Sequence, residues 1–301
     1  MIRVEPTGGV LGATVTGVDL ADPLSQGDRG IVLGALCRHG VLRFPSQTVD
    51  AAGLKRFSAH FGTLEINIAN THHAPGHPEV MILSNMREDG RPIGLADAGQ
   101  GWHTDMSYSR DIAFANVLHA ITVPRRDGRP LGSTEFANMY RAHDDLPAEI
   151  RQRLEGAVAI HDFDKFWEEM RRRPGSTRPP LTEEQRRRKP PVPQPVILVH
   201  PVTGRRVLYC NPGYAVRIEG WEAAESERML EYLFAHQLRP EYRHVHDWTE
   251  GDVLMWDDIC TLHYARPDYG PDEPRFVRRC QVMADRAFDP AFAATAVMGP
   301  G

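Results

Sequence analysis

Only four cysteines occur in the 301 residues, Cys37, Cys210, Cys260 and Cys280, and no two of them form a Cys-x-x-Cys pair. That scarcity excludes a disulfide framework and a zinc knuckle, and it points to a reducing, cytoplasmic compartment. No apolar run approaches the length of a membrane span. The start, Met1-Ile-Arg-Val-Glu-Pro-Thr-Gly-Gly, lacks a basic stretch followed by an apolar one, so no secretory leader is expected either. Excess positive charge is missing too. A formal net charge of -5 exerts no general pull on nucleic acid or an anionic membrane, so an anion must be met by locally placed Arg, Lys or backbone N–H groups. A Gly-x-Ser-x-Gly elbow and a phosphate-cradling Gly-rich loop are likewise absent, which removes serine-nucleophile and nucleotide-binding readings.

What is present is an ordinary globular composition, 41% hydrophobic and 25% charged, in a chain long enough to bury a large core. Alternating apolar residues predict strands over 9–20 and 40–44, around a helix from about Asp28 to Arg38. A second helix is expected over 50–61, with Leu54, Phe57 and Phe61 on one face. Further helices are expected over 147–156 and 223–237. Strands are expected over 79–85, 114–122, 134–138, 196–200, 206–210, 253–256 and 275–284. Because strands do not alternate regularly with helices, the pattern favours one mainly β domain over residues 1–301, a jelly-roll barrel with flanking helices, over a doubly wound sheet. The stretch 171–195, with its Arg-Arg-Arg-Pro-Gly and Arg-Arg-Arg-Lys-Pro-Pro runs, reads as a long exposed loop, either solvated or a lid.

The local feature with most chemistry is Trp102-His103-Thr104-Asp105. A histidine and a carboxylate two residues apart on an extended segment point the same way and can reach one ion. His263, following the hydrophobic run Val253–Trp256, supplies a third ligand. Two imidazoles and one carboxylate on one face of an octahedron leave the other face open, the arrangement of non-haem Fe(II) oxygenases. With fourteen histidines such a pair carries little alone. His263 could be a core histidine and Asp105 a cap. His72, His73 and His77 lack Cys or carboxylate neighbours at ligand spacing and read as a solvated loop. Near the C-terminus, Arg275 and Arg279 lie four apart on a strand and face the same side, with Arg278 opposite. Guanidinium groups directed into a barrel need anions. A dicarboxylate such as 2-oxoglutarate would serve one of them, and Asp257, Asp258 or Glu273 are the structural alternative.

These residues resemble the taurine dioxygenase and 2,4-dichlorophenoxyacetate dioxygenase family of Fe(II)/2-oxoglutarate enzymes. The likeness runs from Leu11-Gly-Ala-Thr-Val-Thr-Gly-Val-Asp-Leu through Trp102-His-Thr-Asp, Gly132-Ser-Thr-Glu-Phe, Val199-His-Pro-Val-Thr-Gly-Arg and Arg217-Ile-Glu-Gly. It ends in Val253-Leu-Met-Trp-Asp-Asp, Leu262-His-Tyr-Ala, Arg275 and Arg279. The resemblance implies a double-stranded β-helix of the cupin-like, jelly-roll kind. It implies His103, Asp105 and His263 as catalytic iron ligands, and Thr134 and Arg275 as partners of the far carboxylate of 2-oxoglutarate. Arg279 would lie near the keto-acid end or the substrate anion.

The resemblance also implies dioxygen as oxidant, a small anionic organic molecule as substrate, a lid over 163–195, and a dimer or tetramer, with no nucleic-acid or membrane partner. Phe166 and Trp167 fall in the stretch that lines the substrate pocket of relatives. The chain departs from taurine dioxygenase where Asn67 and Asn70 replace a His and a Tyr, and where Gln100-Gly101 replaces an Asn, so taurine does not carry over as substrate. Asp258 stands where the family has Asn after Trp-Asp. An intact Asp105 argues against halogenation. A Zn(II) hydrolase or lyase on the same barrel, or a non-catalytic acid-binding relative, are the rival classes.

Overall fold

In the computed structural model, residues 1–66, 72–173, 176 and 178–298 are described. The strand Ala113–Thr122 is buried along its first eight residues, which requires an apolar layer on each side of it. Its alternation supplies both. Ala115 and Val117 join Leu33, Leu36 and Phe57 in one core cluster, whereas Leu118 and Ala120 join Phe136, Trp248 and Trp256 in another.

This strand lies inside an eight-stranded sheet. The order is Arg3–Pro6, Ala13–Thr16, Val41–Phe44, Val253–Asp257, Ala113–Thr122, Phe276–Met283, His77–Ser84 and His73–Ala74. Pairing is antiparallel except between Ala13–Thr16 and Val41–Phe44. One face is covered by helices Gln26–His39 and Ala51–Ala59. Their first turns are closed by the side chains of Ser25 and Asp50, which accept from the N–H groups of Asp28 and Gly53. The other face packs against a three-stranded sheet ordered Arg243–His246, Thr134–Asn138, Thr261–Ala265. Phe136 meets Trp256 edge-on across that gap, with ring centroids 5.4 Å apart. A second three-stranded sheet, Val192–Pro195, Val158–His161, Ala215–Ile218, stands beside them. The molecule is therefore mostly sheet with helices outside. No described helix is long and apolar enough to cross a membrane, and all four cysteines are free and buried.

Two expectations are corrected. The strand expected over 9–20 is only Ala13–Thr16, hairpinned onto Arg3–Pro6. Gly17, at φ 76°, ends it where a Cβ would meet the Met1 carbonyl oxygen at 2.2 Å. The stretch 171–195 is not a continuous loop: it carries a helix, Glu183–Arg188, and a strand, Val192–Pro195. The charge run that suggested solvated coil is a short helix with a Thr182/Gln185 capping box. Glutamates fill its first turn and arginines its last, and Glu184 pairs with Arg188. Pro193 and Pro195 fit a strand because they lie on the outer edge of their sheet, two apart, where a missing N–H faces no partner strand.

His161 is fully buried in the central strand of that sheet, stacked on Tyr209. Burial, with Lys165 nearby, lowers its pKa to about 3 from an ordinary 6.5. The folded protein therefore holds it neutral while the unfolded chain takes up the proton first as pH falls. Its contribution is complete above pH 6.5 and is lost as pH drops toward 3, about 2 kcal/mol being gone at pH 5. Urea unfolding at pH 7 and pH 5 should show the acid-induced loss shrink by that amount in His161→Gln. An unchanged loss would contradict this.

Candidate metal centre

The site begins with a backbone pairing. His103 and His263 form an isolated antiparallel bridge in which each N–H donates to the other's carbonyl, at 3.1 and 2.9 Å. Side chains of directly paired residues lie on one face, and the imidazole centroids are 4.2 Å apart. His263 sits on Thr261–Ala265, held by Thr134–Asn138 opposite it. The Thr104 hydroxyl ties the other segment down by donating to the Thr261 carbonyl at 2.6 Å. Asp105, two residues beyond His103, turns its carboxylate to the same face. Oδ1 is 3.4 Å from His103 Nε2, and Oδ2 is 3.9 Å from His263 Nε2.

The donor atoms fit a divalent cation in protonation as well as position. The Gly101 carbonyl, at 2.6 Å, can only accept, so His103 Nδ1 donates to it and Nε2 is the ring nitrogen that faces Asp105 and His263. Burial and the neighbouring His103 hold His263 well below the ordinary imidazole pKa, hence neutral. Burial works against ionisation of Asp105, yet Arg279 and the two histidines hold it well below the usual carboxylate range. One donor atom from each of the three lies within 4.8 Å of the others.

Asn116 organises the surroundings. Its amide donates to Asp105 Oδ2 at 2.8 Å and to Asp258 Oδ2 at 2.7 Å, while its carbonyl accepts from Arg279 Nε at 2.9 Å. Arg279 Nη2 reaches Asp105 Oδ2 at 3.1 Å. Asp258 also accepts from Trp256 Nε1 at 3.0 Å. Burial, then the charge of Asp105, push the Asp258 carboxyl well above its usual range, so one carboxylate of the pair holds the charge.

Thr134, Arg275 and Arg279 line the same cavity of about 540 Å³ as the two histidines and Asp105. Arg275 is buried, has its guanidinium over the Tyr269 ring, and forms no ion pair among the described residues. Trp248 Nε1 donates to Thr134 Oγ1 at 3.0 Å; indole can only donate, so the threonine hydroxyl proton stays available to an anion. Of the carboxylates offered as arginine partners, Glu273 is taken by Arg126 and Asp257 by His200. Arg278 turns the other way, toward the Val49 carbonyl.

Phe166 and Trp167 both line the cavity. Phe166 is buried, 4.9 Å from the His103 ring, and Trp167 is half-buried with its indole donating to Pro179 O. Asn67 and Asn70 lie outside the described residues. His72 lines the cavity and His73, like His72, is half-buried, so that stretch is less solvated than expected; it forms no metal cluster among the described residues.

Sequence reasoning missed Asn116, Tyr108, Tyr214 and Lys189. Asn116 had a signal, a lone amide on the Leu118/Ala120 face of an apolar strand. The others had none, because loops bring them to the cavity.

Residues 3–281 match the model of the "Taurine catabolism dioxygenase TauD, TfdA family". Pentalenolactone F synthase of Streptomyces avermitilis is 30% identical, the match covering 94% of each chain. The alpha-ketoglutarate-dependent 2,4-dichlorophenoxyacetate dioxygenase of Burkholderia sp. (strain RASC) is 31% identical over 90% of this chain and 91% of its own. Among solved structures, a taurine dioxygenase from Burkholderia xenovorans superposes with a TM-score of 0.76 at 30% identity, covering 94% of this chain and 91% of that one. AAD-2 in complex with Mn(II) and N-oxalylglycine superposes with a TM-score of 0.77 at 28% identity, covering 94% and 97%.

The chain belongs to the TauD/TfdA family. In this member of the family, Asp258 is matched to Asn116, which holds it and Asp105 with one amide group. Replacing Asn116 by Leu leaves two buried carboxyl groups and a guanidinium short of a partner, at a cost of about 1–3 kcal/mol in urea unfolding. A loss below about 0.5 kcal/mol, the level of a surface substitution, would contradict this role.

Proposed function

We propose that the protein is an Fe(II)- and 2-oxoglutarate-dependent dioxygenase in which His103, Asp105 and His263 hold the metal. The observation that carries this reading is the convergence of two imidazoles and an ionised carboxylate on one wall of a cavity that also holds a buried arginine without a carboxylate partner among the described residues. Fe(II) in such a site supplies the redox chemistry by which dioxygen oxidises a C–H bond while 2-oxoglutarate becomes succinate and carbon dioxide. Both atoms of dioxygen are accounted for, one entering succinate and one the hydroxylated product.

The residues divide the remaining work. Arg275 pairs with the far carboxylate of 2-oxoglutarate through its planar fork, and Thr134 donates its free hydroxyl proton to the same group. Arg279 and Asn116 keep Asp105 ionised and aimed. Phe166 and Tyr214, whose rings lie 5.2 Å apart beside His103, form an apolar wall that excludes water from the substrate half of the cavity. A cavity of about 540 Å³ takes a small organic molecule together with the co-substrate.

The two facing sheets are the halves of a double-stranded β-helix, and residues 163–195 serve as its lid. The whole chain acts as one domain, and its free buried cysteines suit the cytoplasm. A hydrolase reading would leave Thr134 and Arg275 without work.

With Fe(II), ascorbate and 2-oxoglutarate, purified protein should form succinate and consume dioxygen. Asp105→Ala and His263→Ala should lower succinate formation by at least a hundredfold, whereas Arg275→Ala should raise the 2-oxoglutarate KM by roughly tenfold or more with a smaller effect on kcat. Undiminished turnover in Asp105→Ala, or turnover without dioxygen uptake, would remove this reading.

A further inference from the structure

The cavity is lined by more cations than a co-substrate needs, and most are already committed. Arg178 is held by Asp97 through bonds of 2.6 and 2.9 Å and stacks on Trp167. Arg188 pairs with Glu184 on its own helix. Arg279, the arginine expected near a substrate anion, is taken by Asp105 and Asn116. Lys189 differs. It caps the C-terminus of helix Glu183–Arg188, is half-buried, lines the cavity, and has its ammonium 5.1 Å from the centre of the Tyr108 ring. Among the described residues it makes no ion pair and its ammonium donates no hydrogen bond to a side chain or carbonyl.

The ring under that ammonium belongs to a continuous aromatic wall leading to the metal centre. Tyr108 packs on Tyr214 at 4.6 Å and on Phe163 at 4.8 Å. Tyr214 in turn lies 6.2 Å from His103. Tyr214 is buried and Tyr108 partly so, and desolvation raises the pKa of both, which keeps their hydroxyls protonated. A lysine held over an aromatic face retains its charge but gives up part of its hydration, so an anion arriving there regains what the ammonium has lost. Burial lowers the Lys189 pKa while Glu65 acts against that, in keeping with a cation short of solvent.

We propose that Lys189 is the residue that recognises the anionic group of the primary substrate, with Tyr108 as its platform, and that the substrate is a carboxylate with a flat apolar body lying along the Tyr108–Tyr214 wall toward His103. The assignment deepens the proposed dioxygenase reading and rests on it for the position of the oxidised carbon. It also places the anion contact at the C-terminal end of helix Glu183–Arg188 rather than on a barrel strand.

The test uses the full chain loaded with Mn(II) and N-oxalylglycine, with binding followed by calorimetry. The probes are phenoxyacetate, cyclohexylacetate and naphthylacetate, each beside its neutral amide. Wild-type protein should bind at least one acid ten times or more tightly than its amide. In Lys189→Met that preference should fall below about twofold, in Lys189→Arg most of it should survive, and N-oxalylglycine affinity should be unchanged in both. Equal affinity for every acid and amide in the wild type, or a preference that survives in Lys189→Met, would overturn the assignment. Loss of N-oxalylglycine binding by metal-loaded wild type would instead sink the dioxygenase reading itself.

Discussion

Everything at the site depends on the two hydrogen bonds that clip His103 to His263. They join a loop segment to the edge of the three-stranded sheet, and because paired residues project to one side, they bring two imidazoles together without any contribution from the side chains themselves. Asp105 then follows from the chain's own period of two. Three candidate ligand atoms are thus positioned by backbone geometry, and the side chains are left to set protonation.

Protonation is set by a small set of polar groups sealed between the sheets. Gly101 O fixes the His103 tautomer, and Arg279 keeps Asp105 charged. Asn116 separates Asp105 from the second carboxyl group at Asp258 while hydrogen-bonding to both. A buried network of this kind is stable only when each member is satisfied, which ties the Asn at 116 to the Asp at 258 and to the arginine at 279. The co-substrate end follows a different logic. Arg275 is buried against Tyr269 without a carboxylate among the described residues, and in the proposed reading a dicarboxylate would supply its counter-charge.

The parts of this arrangement set by local chain geometry could be read from the sequence. His103 and Asp105 share a face by spacing alone, and Arg275, Arg279 and Arg278 divide between two faces as their alternation requires. The helices over 26–39, 51–59 and 223–237 were legible from caps and periodicity. What could not be read was long-range. Nothing local tells that the 183–188 charge run winds into a capped helix, or that Lys189 comes to rest over Tyr108, 81 positions earlier in the chain, since that contact is set by how the segment docks rather than by its own sequence. Over 9–20 the alternation is real, but Gly12 and Gly17 take positive φ and break it, which leaves only Ala13–Thr16 as strand.

The central claim, that one ion is gripped by His103, Asp105 and His263 with its other face open to a keto acid, is tested most directly by anaerobic spectroscopy. Adding 2-oxoglutarate to the Fe(II)-loaded protein should produce the visible charge-transfer absorption of a chelated α-keto acid, and that absorption should be absent in His263→Ala and in Asp105→Ala at the same Fe(II) concentration. A wild-type protein that develops no such absorption, or variants that develop it undiminished, would contradict the account.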